Sequence, residues 1–206
     1  MGFEEYKKDL VAHRRKSVQL FSPKGKKELE LWVTQEFLDV LGVSYAETEL
    51  TQPKDDPPDV IFRDANFEII ELYDDDRKRH DEYKNKLKKA EAARDYSEIG
   101  EVENWDMVPV SLPELLSEVE RYLQRKKGHY SPGTQAQLDV LVYINLQKKI
   151  VEEEDYVLPA PLPQSSPLRV WRSVSLVFNG HMVCVPHSLN SSPEIIRTKV
   201  GKVVKK

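Results

Sequence analysis

The sequence predicts an α/β fold in which helices flank a mixed β-sheet. Residues 138–146, LDVLVYINL, form a nearly continuous run of apolar and β-branched side chains, which is typical of a strand covered on both faces. Residues 57–76, PPDVIFRDANFEIIELYDDD, contain two strand-like runs separated by a short polar turn. Residues 22–42 carry one apolar stripe at helical spacing. A central strand, a hairpin and an amphipathic helix pack most simply as a sheet with helices against it.

The composition is that of a globular chain with its own hydrophobic core. Of the 206 residues, 39% are hydrophobic and 32% are charged, and the formal net charge is −4. These values exclude wholesale disorder and a uniformly basic nucleic-acid binder. The single cysteine, Cys184, excludes a disulfide framework and a cysteine-rich zinc module. No apolar run approaches the roughly 20 residues of a membrane span, and the N-terminus lacks a signal-peptide core, so we expect a soluble cytoplasmic protein without a membrane partner.

Helices are predicted over residues 3–20, 22–42, 77–94 and 112–126. Ser22 followed by Pro23 is a good helix start, and Gly42 suits the position after a helix end. Ser111 and Glu114 have the spacing of a capping box. Residues 44–50 alternate weakly and are predicted to form a first strand.

The C-terminal part of the chain is predicted to add a second hairpin. It covers residues 169–187 and turns at Asn179-Gly180, the strongest short hairpin signal, after a proline-rich link over 152–168. The last ten residues contain five cations and no acid, namely Arg197, Lys199, Lys202, Lys205 and Lys206. We therefore expect one domain over 1–190, with its core at about 22–146, and a flexible basic tail over 191–206.

The first hairpin carries acids where burial favours apolar side chains. Asp59 opens its first strand, and Glu68 and Glu71 lie in its second strand, residues 67–73. A buried carboxylate is costly unless it is paired, hydrogen-bonded or bound to a metal. If the loop is residues 64–66, with Asn66 left-handed, Asp59 lies opposite Glu71; with an even loop it lies opposite Ile70 and shares a face with Glu68. We favour the first register because Asn tolerates that backbone.

The order helix, three strands, helix, strand resembles the PD-(D/E)XK nucleases, the restriction-endonuclease-like class. The matching motif is Pro58-Asp59 at the second strand with Glu71 or Glu68 in the third, and the resemblance covers about residues 22–146. The run DVIFRDANFEIIEL followed by RKRHDEYK is also similar to a family of uncharacterised bacterial proteins tagged as endonucleases.

This resemblance implies metal-assisted hydrolysis of phosphodiester bonds in DNA or RNA. It implies Mg²⁺ held by Asp59 and Glu71, with Glu68 as the alternative and Glu36 as a further acid from the first core helix. Such nucleases place a lysine two residues after the glutamate, where this chain has Tyr73 or Ile70. A catalytic lysine would therefore come from elsewhere. The nearest candidates in sequence are Lys78 and Lys84, and Glu30 is the second-ranked helix acid.

The helix predicted at 77–94 contains eight Lys or Arg residues against three acids. This excess predicts phosphate contacts through Arg77, Lys84 and Lys88, and a merely solvated helix surface is the alternative. The alternative function is a catalytically inactive module of the same fold that binds nucleic acid or a protein partner. A purely structural interaction protein is a third class. The sequence leaves the oligomeric state open, a homodimer included.

Overall fold

The computed structural model describes residues 2–74, 77–99, 107–151, 158, 162–178 and 181–206. In these ranges the helices are α1 (Phe3–Leu20), α2 (Lys26–Val40), α3 (Arg79–Ala92), α4 (Tyr96–Ile99), α5 (Leu112–Lys126), α6 (Pro132–Gln135) and α7 (Glu194–Arg197). The strands are β1 (Leu50–Thr51), β2 (Val60–Phe62), β3 (Ala65–Tyr73), β4 (Val108–Val110), β5 (Asp139–Asn145), β6 (Lys149–Val151), β7 (Ser173–Phe178), β8 (Met182–Ser188) and β9 (Val203–Lys205).

Seven of the described strands form one mixed sheet in the order β1-β2-β3-β5-β7-β8-β9. Strands β3, β5 and β7 run parallel to one another, and the other neighbours pair antiparallel. Strands β4 and β6 pair separately as a small parallel sheet. The predicted α/β class, a mixed sheet flanked by helices, is confirmed.

Strand β5 lies at the centre of the sheet because its side chains are apolar on both faces. All seven of its residues are buried. On one face, Val140 and Val142 join a core cluster with the leucines of α5, such as Leu115. On the other face, the ring of Tyr143 meets Trp32 of α2 edge-on, with 5.3 Å between ring centroids. The run at 138–146 is therefore the buried strand that its composition predicts.

Local signals place most elements close to their predicted positions. Helix α5 covers the predicted range, and the amide of Ser111 donates to the Glu114 carboxylate at 2.9 Å, as in a capping box. Helix α2 begins only at Lys26, because Ser22 caps the short 3₁₀ turn Pro23–Gly25 instead. The predicted strand at 44–50 shortens to the two residues of β1, after a 3₁₀ turn at Glu47–Glu49.

Residues 191–206 are part of the fold, whereas the sequence predicts a flexible tail. They form α7 and β9, and β9 pairs with β8, with Val204 opposite Val183. Ile196 of α7 is fully buried. These apolar side chains anchor the segment despite its cations. The second predicted hairpin is confirmed as β7 and β8. Its predicted turn, Asn179-Gly180, and most of the predicted proline-rich link lie outside the described residues.

The chain packs as two compact units, whereas the sequence predicts one domain. The helical unit comprises residues 1–29 and 75–106, and the sheet unit comprises residues 30–74 and 107–206. Within the helical unit, Phe21 stacks on Tyr83 with 4.6 Å between ring centroids, which holds α3 against the end of α1. No helix in the described ranges combines the length and the apolar character that crossing a membrane requires.

Candidate acidic site on the hairpin

The β2–β3 hairpin turns over two residues, Arg63 and Asp64. Val60 pairs with Phe67, and Phe62 pairs with Ala65. Arg63 has a φ of 53°, a left-handed conformation that costs a non-glycine residue about 1–2 kcal/mol. Its guanidinium Nε donates to Glu49 at 2.9 Å, and an Nη donates to the carbonyl of Ser44 at 3.0 Å. These hydrogen bonds offset the cost and fix the turn.

The exact residue pairs of both predicted registers are wrong, but the loop has an even number of residues, as in the second register, which also grouped Glu68 with Asp59. The favoured register needs a left-handed Asn66 in the loop, but Asn66 lies within β3 and pairs with Ile61. The backbone amide of Asn66 donates to the Asp139 carboxylate at 3.1 Å, and this hydrogen bond fixes Asn66 in the strand. The shorter turn slides β3 along β2. Asp59 consequently lies beside residues 67–69, and opposite neither Glu71 nor Ile70.

Asp59 and Glu68 are the acids that the hairpin brings together. Asp59 is 5% exposed; its amide donates to the Phe67 carbonyl, and its Oδ2 accepts the Ile69 amide, both at 2.9 Å. These two contacts bracket Glu68, which is 8% exposed. The charges of both Asp59 and Glu68 also act on the hydroxyl of Tyr130. Two nearly buried carboxylates therefore lie close together, Asp59 directly before β2 and Glu68 within β3.

Tyr130, which follows α5, completes this acidic site. Its hydroxyl donates to Glu68 Oε1 at 2.6 Å. Its ring packs edge-on against the fully buried Trp171, with 5.4 Å between ring centroids. Burial, the hydrogen bond to Glu68 and the charges of Asp59 and Asp56 raise the pKa of the Tyr130 hydroxyl. Tyr130 therefore stays protonated at neutral pH and acts as a fixed donor.

Glu71 does not join this site, which corrects the favoured prediction. Successive side chains of a strand alternate between faces, so Glu71, three residues after Glu68, lies on the opposite face of β3. Its register partner in β5 is Tyr143, and its Oε1 accepts a hydrogen bond from Asn145 at 2.7 Å. The Glu71 carboxylate is thus held against β5 and separated from Asp59 by the sheet.

The predicted metal-ligand set is not assembled either. Glu36 of α2 lies near Tyr45, whose pKa is raised by burial and by neighbouring acids that include Asp39 and Glu36. Within the part of the chain that the structure describes, no three His, Cys, Asp or Glu side chains converge closely enough to hold a metal ion. The combination of Asp59, Glu71 and Glu36 is therefore wrong as a single site.

Sequence reasoning missed Tyr130 because no local pattern points to it. It lies 62 residues after Glu68, and only the packing on Trp171 brings the hydroxyl to the carboxylate. The second-ranked helix acid, Glu30, is buried at 5% exposure and accepts a hydrogen bond from Gln52 at 3.4 Å. Ile70, where the resembling nucleases have a lysine after Glu68, packs in the core cluster.

The predicted cations belong to the helical unit. Arg77 has a side chain only 5% exposed, and its Nε donates to Glu82 at 2.6 Å, so its predicted role as a surface phosphate contact is wrong. Lys84 and Lys88 are exposed and lie one turn apart on α3, as the phosphate prediction requires. Lys78 is exposed at the N-terminal cap of α3. The roles of Lys78, Lys84 and Lys88 stay predictions.

Comparison with known proteins places the chain in a family. Residues 3–206 match the family described as "Putative endonuclease, protein of unknown function (DUF1780)", which agrees with the endonuclease-tagged family that the sequence resembles. Neither this description nor the structural comparison names the PD-(D/E)XK class.

The fold is similar to one solved structure, that of a protein of unknown function from Pseudomonas aeruginosa strain PAO1 described as belonging to the monooxygenase superfamily. The two share 24% sequence identity over 100% of this chain and 97% of the other, with a TM-score of 0.67. At this identity the likeness shows the fold alone. None of the curated proteins compared with the chain matches it. On the match over residues 3–206, this chain belongs to the DUF1780 family.

Proposed function

We propose that this protein is a metal-dependent nuclease that hydrolyses phosphodiester bonds of DNA or RNA, with Asp59 and Glu68 as its paired carboxylates. The observation that carries the proposal is that these two acids are nearly buried and close together: Asp59 accepts the backbone amide of Ile69, the residue after Glu68, and the charges of both acids act on Tyr130. The order α2, β1, β2, β3, α5, β5 and the family description support it.

The two acids fit a divalent cation such as Mg²⁺. Neighbouring carboxylates repel, and a cation relieves that repulsion. Magnesium is commonly held by one or two carboxylates with waters at its other positions, so two protein ligands are sufficient. Asp59 and Glu68 would hold the ion, and the ion would supply positive charge for the phosphate and lower the pKa of an attacking water.

The remaining residues of the site would orient these ligands. The Ile69 amide fixes one oxygen of Asp59, and the Tyr130 hydroxyl fixes one oxygen of Glu68. Hydrogen bonds of this outer kind set the direction of ligating carboxylates. Residue 70, where the resembling nucleases have a lysine after the glutamate, is a buried isoleucine, so β3 supplies no lysine to this site.

Cleavage assays on matched acid variants test the proposal. Plasmid DNA, single-stranded DNA and RNA are incubated with the parent protein in Mg²⁺ or Mn²⁺. Asp59→Asn and Glu68→Gln should each abolish cleavage. Glu71→Gln, the matched control on the opposite face, should retain it. Loss in Glu71→Gln with activity kept in Glu68→Gln would refute the assignment, and a parent protein that cleaves none of these substrates would refute the catalytic proposal.

The second candidate function is a catalytically inactive module that binds nucleic acid. The observation that favours it is that a buried isoleucine, Ile70, stands where the PD-(D/E)XK nucleases have their lysine. The same assays separate the two functions. A parent protein that binds these nucleic acids with or without Mg²⁺ but leaves them intact is the result expected for the inactive module.

A further inference from the structure

Three aromatic side chains form a cluster in the helical unit, in which Phe3 is half-buried and the two tyrosines are exposed. The Tyr96 ring lies 5.2 Å from the Phe3 ring and 5.5 Å from the Tyr6 ring, between centroids. Tyr96 is 52% exposed and Tyr6 is 37% exposed. Single exposed aromatic residues are ordinary, but contiguous exposed apolar surface commonly marks a binding site. We call Phe3, Tyr6 and Tyr96 the aromatic cluster.

A groove of about 580 Å³, lined by residues of α1 and by Glu91 of α3, is tied to this cluster through Lys7. Lys7 lines the groove, and its ammonium lies 6.0 Å from the centroid of the Phe3 ring. It also donates to the carbonyl of Ala93 at 2.6 Å, which holds it in place. Lys7 therefore lies between the groove and the nearest ring of the aromatic cluster, that of Phe3.

The charges of the groove favour an anionic ligand. Its lining includes the cations Lys7, Lys8 and Arg15 and the acids Glu4 and Glu91. Arg15 and Glu91 pair at 2.7 Å and largely neutralise each other. Lys7 and Lys8 then face the single acid Glu4. A modestly positive groove beside exposed rings is the combination with which proteins bind single-stranded nucleic acid, since bases stack on rings and phosphates meet cations.

We propose that the aromatic cluster and this groove bind single-stranded nucleic acid, with bases on Tyr96 and Tyr6 and phosphates at Lys7 and Lys8. The inference rests on the proposed nuclease function, because that function supplies the class of ligand. We propose a single-stranded ligand because a base can stack on a surface ring only when it is not stacked within a duplex. The recognition depends on ring faces and phosphate charge, so it tolerates any sequence.

Binding of labelled oligothymidine in EDTA tests this surface without any cleavage. Tyr96→Ala and Tyr6→Ala should each weaken binding about 5- to 150-fold, the usual range for losing one stacked base. Tyr96→Phe keeps the ring and should keep the affinity. The matched control is Tyr73→Ala, which removes a ring 40% exposed in the sheet unit and should change nothing.

The salt dependence separates the role of the cations from that of the rings. Lys8→Gln should reduce the slope of log affinity against log salt by about 0.7, the value for one phosphate contact on a single strand. Lys54→Gln, which removes an exposed lysine of the sheet unit, should leave the slope unchanged.

Three results would overturn the inference. The first is a Tyr96→Ala variant that binds oligothymidine as tightly as Tyr73→Ala. The second is an equal loss of affinity for duplex and single strand. The third is a shift from dimer to monomer in light scattering on Tyr96→Ala, with binding unchanged, which would make the cluster a contact between two copies.

Failure of this inference and failure of the proposed function are distinguishable. Metal-dependent cleavage that needs Asp59 and Glu68, together with unaltered binding in Tyr96→Ala, would refute only the binding surface. Oligothymidine binding that depends on Tyr96, in a protein that cleaves nothing, would refute only the catalysis.

Discussion

The two units of the chain use charged side chains in opposite ways. All four acids that are buried among the described residues belong to the sheet unit, including Asp139 at 0% exposure and Asp59 at 5%. In the helical unit, α1 contains no buried residue, and its pair Arg15–Glu91 leaves side chains 65% and 42% exposed. The sheet unit contains 15 Lys or Arg residues and 21 acids, whereas the helical unit contains 16 and 14.

This difference fits the two proposals, in which the sheet unit holds the metal and the helical unit binds the nucleic acid. Backbone pairing in a sheet fixes carboxylates within fractions of an ångström, which holding a metal requires. Exposed cations and rings on helices can adjust to a flexible polymer and keep their hydration until it binds. The helical unit also contains mostly buried pairs, Arg77–Glu82 and Lys86–Glu82, where α3 begins. Four predictions test the comparison, from the largest expected effect to the smallest.

The largest contrast is expected between a buried and an exposed ion pair. Asp139 bonds Arg172 and also accepts the Ser173 hydroxyl at 2.7 Å. Asp139→Asn should lower the free energy of unfolding by about 3–5 kcal/mol, because it leaves a largely buried guanidinium uncompensated. Glu91→Gln, which breaks the exposed pair, should cost less than about 1 kcal/mol. Urea unfolding measures both, and similar losses would contradict the comparison.

The second prediction concerns stabilisation by a divalent metal. Millimolar Mg²⁺ or Mn²⁺ should raise the melting temperature, because a free ion concentration of 100 times the Kd stabilises the folded state by about 2.7 kcal/mol. Asp59→Asn and Glu68→Gln should each abolish the rise without lowering the metal-free melting temperature. Glu71→Gln should preserve the rise. An unchanged melting temperature of the parent protein on addition of metal would rule out the site.

Tyr130 offers a subtler probe of the same site. Tyr130→Phe keeps the ring on Trp171 and removes only the hydroxyl that orients Glu68. It should weaken Mn²⁺ binding about 10- to 100-fold, the usual effect of losing a hydrogen bond to a metal ligand. Calorimetric titration of Mn²⁺ into the two proteins measures this, and equal affinities would show that Tyr130 serves only the fold.

The smallest effect is expected from His187. Burial lowers the pKa of its imidazole, whose Nε2 lies 3.1 Å from the Trp171 carbonyl. The unfolded chain therefore takes up a proton at this histidine at a higher pH than the folded chain does. Stability should be complete above the ordinary pKa near 6.5 and should fall as the pH drops through the folded value. In His187→Gln, urea midpoints at pH 5 and pH 7.5 should differ less than in the parent.

Several elements could be predicted because their signals are local. Residues 140–144 are apolar at five consecutive positions, and successive side chains point to opposite faces of a strand, so both faces of β5 had to be covered. The Ser111–Glu114 capping box indicated the start of α5, because its two residues are only three positions apart. Asp59 and Glu68 also stood out as acids within apolar strands, although Glu71 stood out equally.

The register of the hairpin was not a local property. Turn propensity favoured Asn66 as the left-handed residue. Two hydrogen bonds outweighed this preference: the Arg63 guanidinium donates to Glu49, and the backbone amide of Asn66 donates to Asp139. Both partners are distant in the sequence, and Asp139 lies 73 residues after Asn66. A shift of register by one residue exchanges the faces of a strand, so this contest decided which glutamate joins Asp59.

The sequence by itself determined the α/β class, the central strand, the hairpins and the presence of unusual acids, because alternation, capping and propensity act over a few residues. Only the tertiary structure decided that Glu68 and not Glu71 lies beside Asp59, that Tyr130 bonds Glu68, and that α1 and α3 form a separate unit. Those outcomes depend on contacts across tens of residues, where the free energies of packing and of hydrogen bonding to distant partners exceed local preferences.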